Sequence, residues 1–164
     1  MSLKKKRSRT GPAPREGGRT DLGRPVEFLQ LLWAVDHALQ SASKRMQLSL
    51  GVTGPQRLVL RIVGGRPGIS PGGLAAVLHV DPSTLTGILR RLIAQGRLRS
   101  IPDPADRRRV ILTLSEKGRR FDRTAPGTVE AGVRRTISSA PSGDIAAASR
   151  VLRRLAKNLE APSR

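Results

Sequence analysis

The sequence predicts a mostly α-helical chain with one small β-hairpin, an α+β arrangement. Three observations lead there. Apolar residues recur at spacings of three and four in several segments. One stretch, "RVILTL", alternates with period two instead. Pro, Gly and Asp fall between these segments, where turns and helix starts require them. At 164 residues the chain has room for one domain of ordinary size.

Residues 1–24 carry eight basic residues against Glu16 and Asp21, with almost nothing apolar to bury, and read as a disordered basic tail. Such a tail serves equally as an arm that follows a DNA groove or as a solubilising leader. From Pro25 the pattern changes. Phe28, Leu32, Val35, Leu39, Ala42 and Met46 form the stripe of a long helix over residues 25–50, widened by Leu29, Leu31 and Trp33. A helix apolar on more than one side predicts a subunit interface.

Residues 51–120 predict the centre of the molecule. "TGPQRLVLRIVGG" places Leu58, Val59, Ile62 and Val63 between a Gly-Pro start and a Gly-Gly stop, a short helix. In "ISPGGLAAVLHV", Ser70 caps a second helix, Pro71 opens it, and Leu74, Ala75 and Leu78 form its buried side. "DPSTLTGILRRLIAQGRL" gives the clearest helix. Asp81 caps it, Pro82 starts it, Gly96 ends it, and Leu85, Ile88, Leu89, Leu92 and Ile93 are its core positions. At 100° per residue Ser83, Gly87, Arg90 and Ala94 fall on the opposite face, flanked by Thr84 and Thr86. "RLRSI" and "RVILTL" then read as two strands, the second with Val110, Leu112 and Leu114 on one side and Ile111 and Thr113 on the other. Pro102, Asp103, Pro104 and Asp106 keep the connection irregular, so the arginines of "DPADRRRV" project at a free hairpin tip. From Ser115, "SEKGRRFDR" suggests a further helix, which leads into residues 121–164. Pro126 and Gly127 interrupt it, and Pro141 precedes a last helix striped by Ala148, Leu152, Leu155 and Leu159.

Composition narrows the function. The formal net charge is +19, from 31 Lys plus Arg against 12 Asp plus Glu, which points to a polyanionic partner, nucleic acid before membrane. Of these cations 25 are Arg, suited to bidentate guanine and phosphate contacts, although a GC-rich genome gives the same bias. There is no cysteine, so disulfides, thiolate metal sites and thiol-based redox sensing are excluded. Two histidines without an HExxH pattern make a catalytic metal unexpected, and no nucleophile with a base, carboxylate pair or phosphate loop can be assembled, so no enzyme and no cofactor are expected. No apolar run reaches the roughly 20 residues of a membrane span, and the N-terminus lacks the apolar stretch of a signal peptide. The expected location is the cytoplasm, in association with the nucleoid.

Two short helices, the second polar on its outer face, followed by a two-stranded hairpin, make a winged helix-turn-helix, here with N- and C-terminal dimerisation helices. "LAAVLHVDPSTLTGILRRLIAQGRLRSIPDPADRRRVILTLSEKGRR" resembles the MarR family of bacterial transcriptional regulators, through "DPSTLTGILRRL", Gly96, the wing "DPADRRRV" and the closing "LTLSEKG". The similarity is strong over about residues 55–120; the flanking helices match by pattern only. The resemblance implies a triangular homodimer that acts as a sequence-specific regulator on double-stranded DNA, at a pseudo-palindromic operator. One recognition helix would enter the major groove and one wing the minor groove. Carried over position by position, it implies DNA contacts from Ser83, Thr84, Thr86, Gly87 and Arg90 on the helix and from Arg107 and Arg108 on the wing. It also implies a small-molecule effector in a cleft between the dimer helices and the DNA-binding lobe, near Trp33, Asp36 and His37, although no residue identifies that ligand.

The chain departs from the family's pattern at three positions. Gly73 stands where many relatives place a Glu that completes a capping box, Gly87 where many have a basic residue, and Arg90 where many have an Asp that pairs with a wing arginine. Small Ser83 and Gly87 would let the helix approach the groove floor. Thr84 and Thr86 offer hydroxyls to phosphate or base edge, and Arg90 offers a fork to guanine or to phosphate. Arg108 suits a narrow minor groove. Arg91 reads as structural or phosphate-directed, and Arg97 and Arg99 as exposed strand positions. The other reading from the sequence is a basic architectural DNA- or RNA-binding protein that uses the same fold without sequence choice.

Overall fold

Proline stands in the first turn of three of the helices, and in each a side chain upstream accepts one of the N–H groups that a helix start leaves unpaired. The computed structural model describes residues 23–160; the basic tail falls almost wholly outside the described residues. Among the described residues seven helices and two strands follow in order: α1 (Arg24–Leu50), α2 (Gly54–Gly65), α3 (Pro71–Leu78), α4 (Pro82–Ala94), β1 (Leu98–Pro102), β2 (Val110–Leu114), α5 (Glu116–Arg119), α6 (Val129–Ser139) and α7 (Ser142–Glu160). The fold is the mostly helical, winged arrangement that the sequence predicts.

Thr53 caps α2 in a full capping box: its hydroxyl accepts from Gln56 N–H while the Gln56 side chain accepts from Thr53 N–H. Ser70 caps α3 by accepting from Gly73 N–H, and with no side chain at Gly73 nothing returns the bond. Asp81 caps α4 through Ser83 N–H at 2.7 Å. Between α3 and α4 the chain turns at His79, which takes the left-handed conformation at φ 52°.

One core joins these pieces. Val52, Val59, Leu60 and Val63, Leu74 and Ala75, Leu85, Leu89 and Leu92, and Leu98 and Leu112 are all buried together, so α2, α3, α4 and the hairpin root share a single apolar interior. The strands pair antiparallel from Leu98 opposite Leu114 to Pro102 opposite Val110. The outer edge of β2 is also engaged, because Gly68 N–H donates to the Leu112 carbonyl and Leu112 N–H to that of Ile69.

Several sequence expectations need correction. Ile93 is exposed rather than buried, since α4 buries a narrower stripe than the pattern suggested. On β2 only Leu112 is fully buried; Val110 lies beyond the reach of the core, where the hairpin projects. Pro102 is the last residue of β1 rather than part of the loop, a place that strand ends tolerate. The helix after Ser115 is a single turn. Phe121 N–H to Gly118 and Asp122 N–H to Arg119 are i to i−3 bonds that tighten the chain and end it. Gly118 presses against the Arg97 carbonyl, a close approach that only glycine permits. Arg97 itself is buried rather than an exposed strand residue.

The chain divides into two units within α1, between Val35 and Asp36. In the first, Phe28, Leu31, Trp33 and Val35 are exposed. In the second, α2 is fastened to the segment before α6 and to α6 itself. Arg57, only 3% exposed, donates to Glu130 and to the Arg123 carbonyl, and Arg61 donates to Glu130 at 2.7 Å and to both Asp122 carboxylate and carbonyl. Gly64 makes room for the Asp122 carboxylate, because a Cβ there would overlap it.

Candidate nucleic-acid interface

The amphipathic split of α4 decides what it presents. Leu85, Leu89 and Leu92 hold it to the core, which leaves Ser83, Thr84, Thr86, Gly87 and Arg90 exposed on the other side. A Cβ added at Gly87 would meet nothing within 4 Å, so the backbone is bare at the middle of this face. Thr86 donates its hydroxyl proton to the Pro82 carbonyl at 2.8 Å, so it faces outward as an acceptor and not as a free donor. Arg90 enters no ion pair among the described residues, as the missing Asp at its position predicts. The Asp81 carboxyl is held below the usual carboxylate range by the Ser83 hydroxyl and then by the Ser83 N–H, and so stays ionised at the positive end of α4.

The wing is ordered by its aspartates. Asp103 accepts from Ala105 N–H at 2.9 Å and Asp106 from Arg108 N–H at 3.0 Å, while Arg109 N–H closes a turn on the Asp106 carbonyl and Asp103 N–H bonds the Arg109 carbonyl. The acidic residues are thus spent on the backbone. Arg107, Arg108 and Arg109 are all exposed with no carboxylate partner among the described residues. The candidates therefore form two groups, one on α4 and one at the hairpin tip, joined through the shared core and by no hydrogen bond or ion pair among the described residues.

Sequence reasoning missed three features of the second unit. The Thr53–Gln56 capping box was present as the pattern T-x-x-Q. The Arg57, Arg61, Asp122 and Glu130 cluster joins residues more than 60 positions apart, for which no local signal exists. The third is an apolar groove of about 1050 Å³ bordered by Leu39, Met46, Leu58, Ile88 and Val133, with Arg57 and Glu130 also in its wall. Asp36 lines this groove and accepts from Gln40; His37 does not line it, and Trp33 is exposed. No cluster of potential metal ligands occurs among the described residues, and no described helix is long and apolar enough to cross a membrane.

Fold and exposed face together define a winged helix-turn-helix chain. Residues 50–109 match the model of the MarR family. It is similar to the HTH-type transcriptional regulator TtmR of Methylorubrum extorquens, 32% identical over 113 residues that cover 65% of this chain and 58% of that relative. Among solved structures, the S. aureus MepR–DNA complex superposes with a TM-score of 0.67 at 16% identity, covering 81% of this chain and 98% of that one. CouR from Rhodococcus jostii bound to p-coumaroyl-CoA gives 0.67 at 25% identity, covering 86% and 95%.

Proposed function

We propose that the protein is a sequence-specific DNA-binding transcriptional regulator that acts as a homodimer, and not an enzyme. The observation that carries this reading is the bare, small and basic face of α4: Ser83, Thr84, Thr86, Gly87 and Arg90 stand exposed beside an arginine-tipped wing on a chain of net charge +19. α4 would enter the major groove, where small residues permit close approach and Arg90 reads guanine, while Arg107 and Arg108 would enter the adjacent minor groove. The large apolar residues left exposed on α1, α6 and α7, among them Leu31, Trp33, Ile137 and Leu152, support a second copy of the chain as their cover. Residues 51–120 would be the DNA-binding lobe, and the flanking helices, 25–50 and 121–164, the dimer interface.

A small-molecule effector would occupy the apolar groove. Arg57 and Glu130, which tie α2 to α6, are part of its wall, so an occupant would act on the joint that positions the lobe. The site of action is the nucleoid in the cytoplasm. Sequencing the genomic fragments retained by the purified protein at physiological salt tests the reading: a bounded set sharing a pseudo-palindrome is expected. Uniform retention would instead establish the non-specific architectural role.

A further inference from the structure

Arg97 is a buried cation that no carboxylate among the described residues neutralises. It is 9% exposed and stands between the end of α4 and the start of β1. Its Nη1 donates to the Gly51 carbonyl at 2.7 Å and to Gln95 Oε1 at 2.6 Å, and its guanidinium lies over the Phe121 ring, 4.7 Å from the centroid. Among the described residues its buried Nε–H has no acceptor, and none of the ion pairs includes it. Burial draws its pKa down, yet a guanidinium keeps its proton.

A buried charge needs a compensating field. Here that field comes from two helix ends. Gly51 follows the last residue of α1 and Gln95 is the C-cap of α4, so the guanidinium sits where the carboxyl ends of both helices concentrate partial negative charge. The face of Phe121 adds a third attraction. Gly51 adopts φ 68° to turn α1 into α2, and a Cβ there would come within 3.2 Å of Arg97 Nη2, so the turn and the arginine are fitted to one another. The Arg97 main chain is fixed as well, its N–H to Leu92 and its carbonyl receiving Ser115 N–H.

We propose that Arg97 is a positioning residue for DNA reading: a strut between the end of α1 and the end of α4 that sets the angle of the recognition helix. That angle fixes the separation at which two copies address successive half-sites. The inference rests on the homodimer reading above. Arginine is suited to it because one Nη donates to acceptors at two helix ends while the guanidinium plane stacks on a ring; a lysine ammonium has no plane to stack.

The test uses the full chain and a duplex selected from random DNA by the wild-type protein, with the two half-sites moved apart by single base-pair insertions. Wild type should lose about tenfold or more in affinity on such insertions, because both half-sites can no longer be engaged together. Arg97→Met should tolerate them with a loss under about threefold while keeping its base preferences within each half-site, and Arg97→Lys should fall between. Gln95→Ala removes one acceptor without opening the core, and its tolerance should also broaden, which keeps the test decisive if Arg97→Met does not fold. If wild type discriminates spacing and the folded variants do so equally well, the strut is overturned and the dimer reading stands. A wild-type protein indifferent to spacing overturns both.

Discussion

Arg90 and Arg108 carry the same charge in different settings, and so their loss should read differently. Arg90 projects from a helix locked by three buried leucines, a support rigid enough to aim a fork at one base. Arg90→Ala is expected to cost about 1–3 kcal/mol per half-site on the preferred sequence, flattening the preference at one base position and leaving random DNA nearly unaffected. Arg108 stands on a hairpin tip shaped by Asp106, and as a DNA contact it would work through field and groove width. Arg108→Ala should weaken specific and random DNA together and lower the salt slope by about one per subunit. Fluorescence titrations on matched and mismatched duplexes at several salt concentrations separate the two; the reverse pattern would mean that reading and holding are exchanged. Gly87 gives a prediction with two signs. Its Cβ position is empty, so Gly87→Ala should raise stability by up to about 1 kcal/mol through helix propensity. The same methyl should weaken DNA binding by holding α4 off the groove floor. Unchanged affinity would remove Gly87 from the interface.

At the scale of elements, the caps and the ion-pair cluster make separate demands. The Asp81 carboxyl has a lowered pKa in the folded chain, so its contribution is present above the ordinary value of 3.8 and is lost as pH falls through the folded value. Melting curves of wild type should therefore decline below that pH by more than those of Asp81→Asn, which caps without titrating. Parallel curves would show that the cap carries no such linkage. Glu130→Ala strips both Arg57 and Arg61 of a partner, and because Arg57 is deeply buried the expected loss is about 3 kcal/mol in urea unfolding. A loss near zero would mean that the Arg123 carbonyl alone satisfies it. These elements were unequally readable beforehand. The caps Ser70 and Asp81, the order of helices and the hairpin follow from local spacing, and the α4 face follows from a 100° wheel. Arg97 and the Arg57 cluster did not show, because an arginine bound for the interior looks in sequence like any surface arginine, and most of its partners lie dozens of residues away. Ile93 misled for the opposite reason: it keeps the helical period but sits past the point where the core narrows.

For the whole molecule the same charge should act in opposite directions on two equilibria. The described chain leaves Val133, Ile137, Val151 and Leu152 about half exposed on α6 and α7, apolar surface that association with a second copy would cover. Sedimentation at micromolar concentration is expected to show a dimer, and replacing Ile137 and Leu152 with Glu should give folded monomers. Those monomers should lose on the order of 100-fold or more in affinity for a paired site, since the second half-site no longer binds as an intramolecular step. Each chain carries +19, so bringing two together is opposed by repulsion that added salt screens, and the dimer should tighten as ionic strength rises. DNA binding should weaken over the same range, because every phosphate contact releases counterions. Measuring both against salt isolates the apolar contribution to dimerisation from the electrostatic contribution to DNA affinity. A dimer that dissociates with added salt would show that ion pairs, and not the exposed apolar faces of α6 and α7, hold the two copies together.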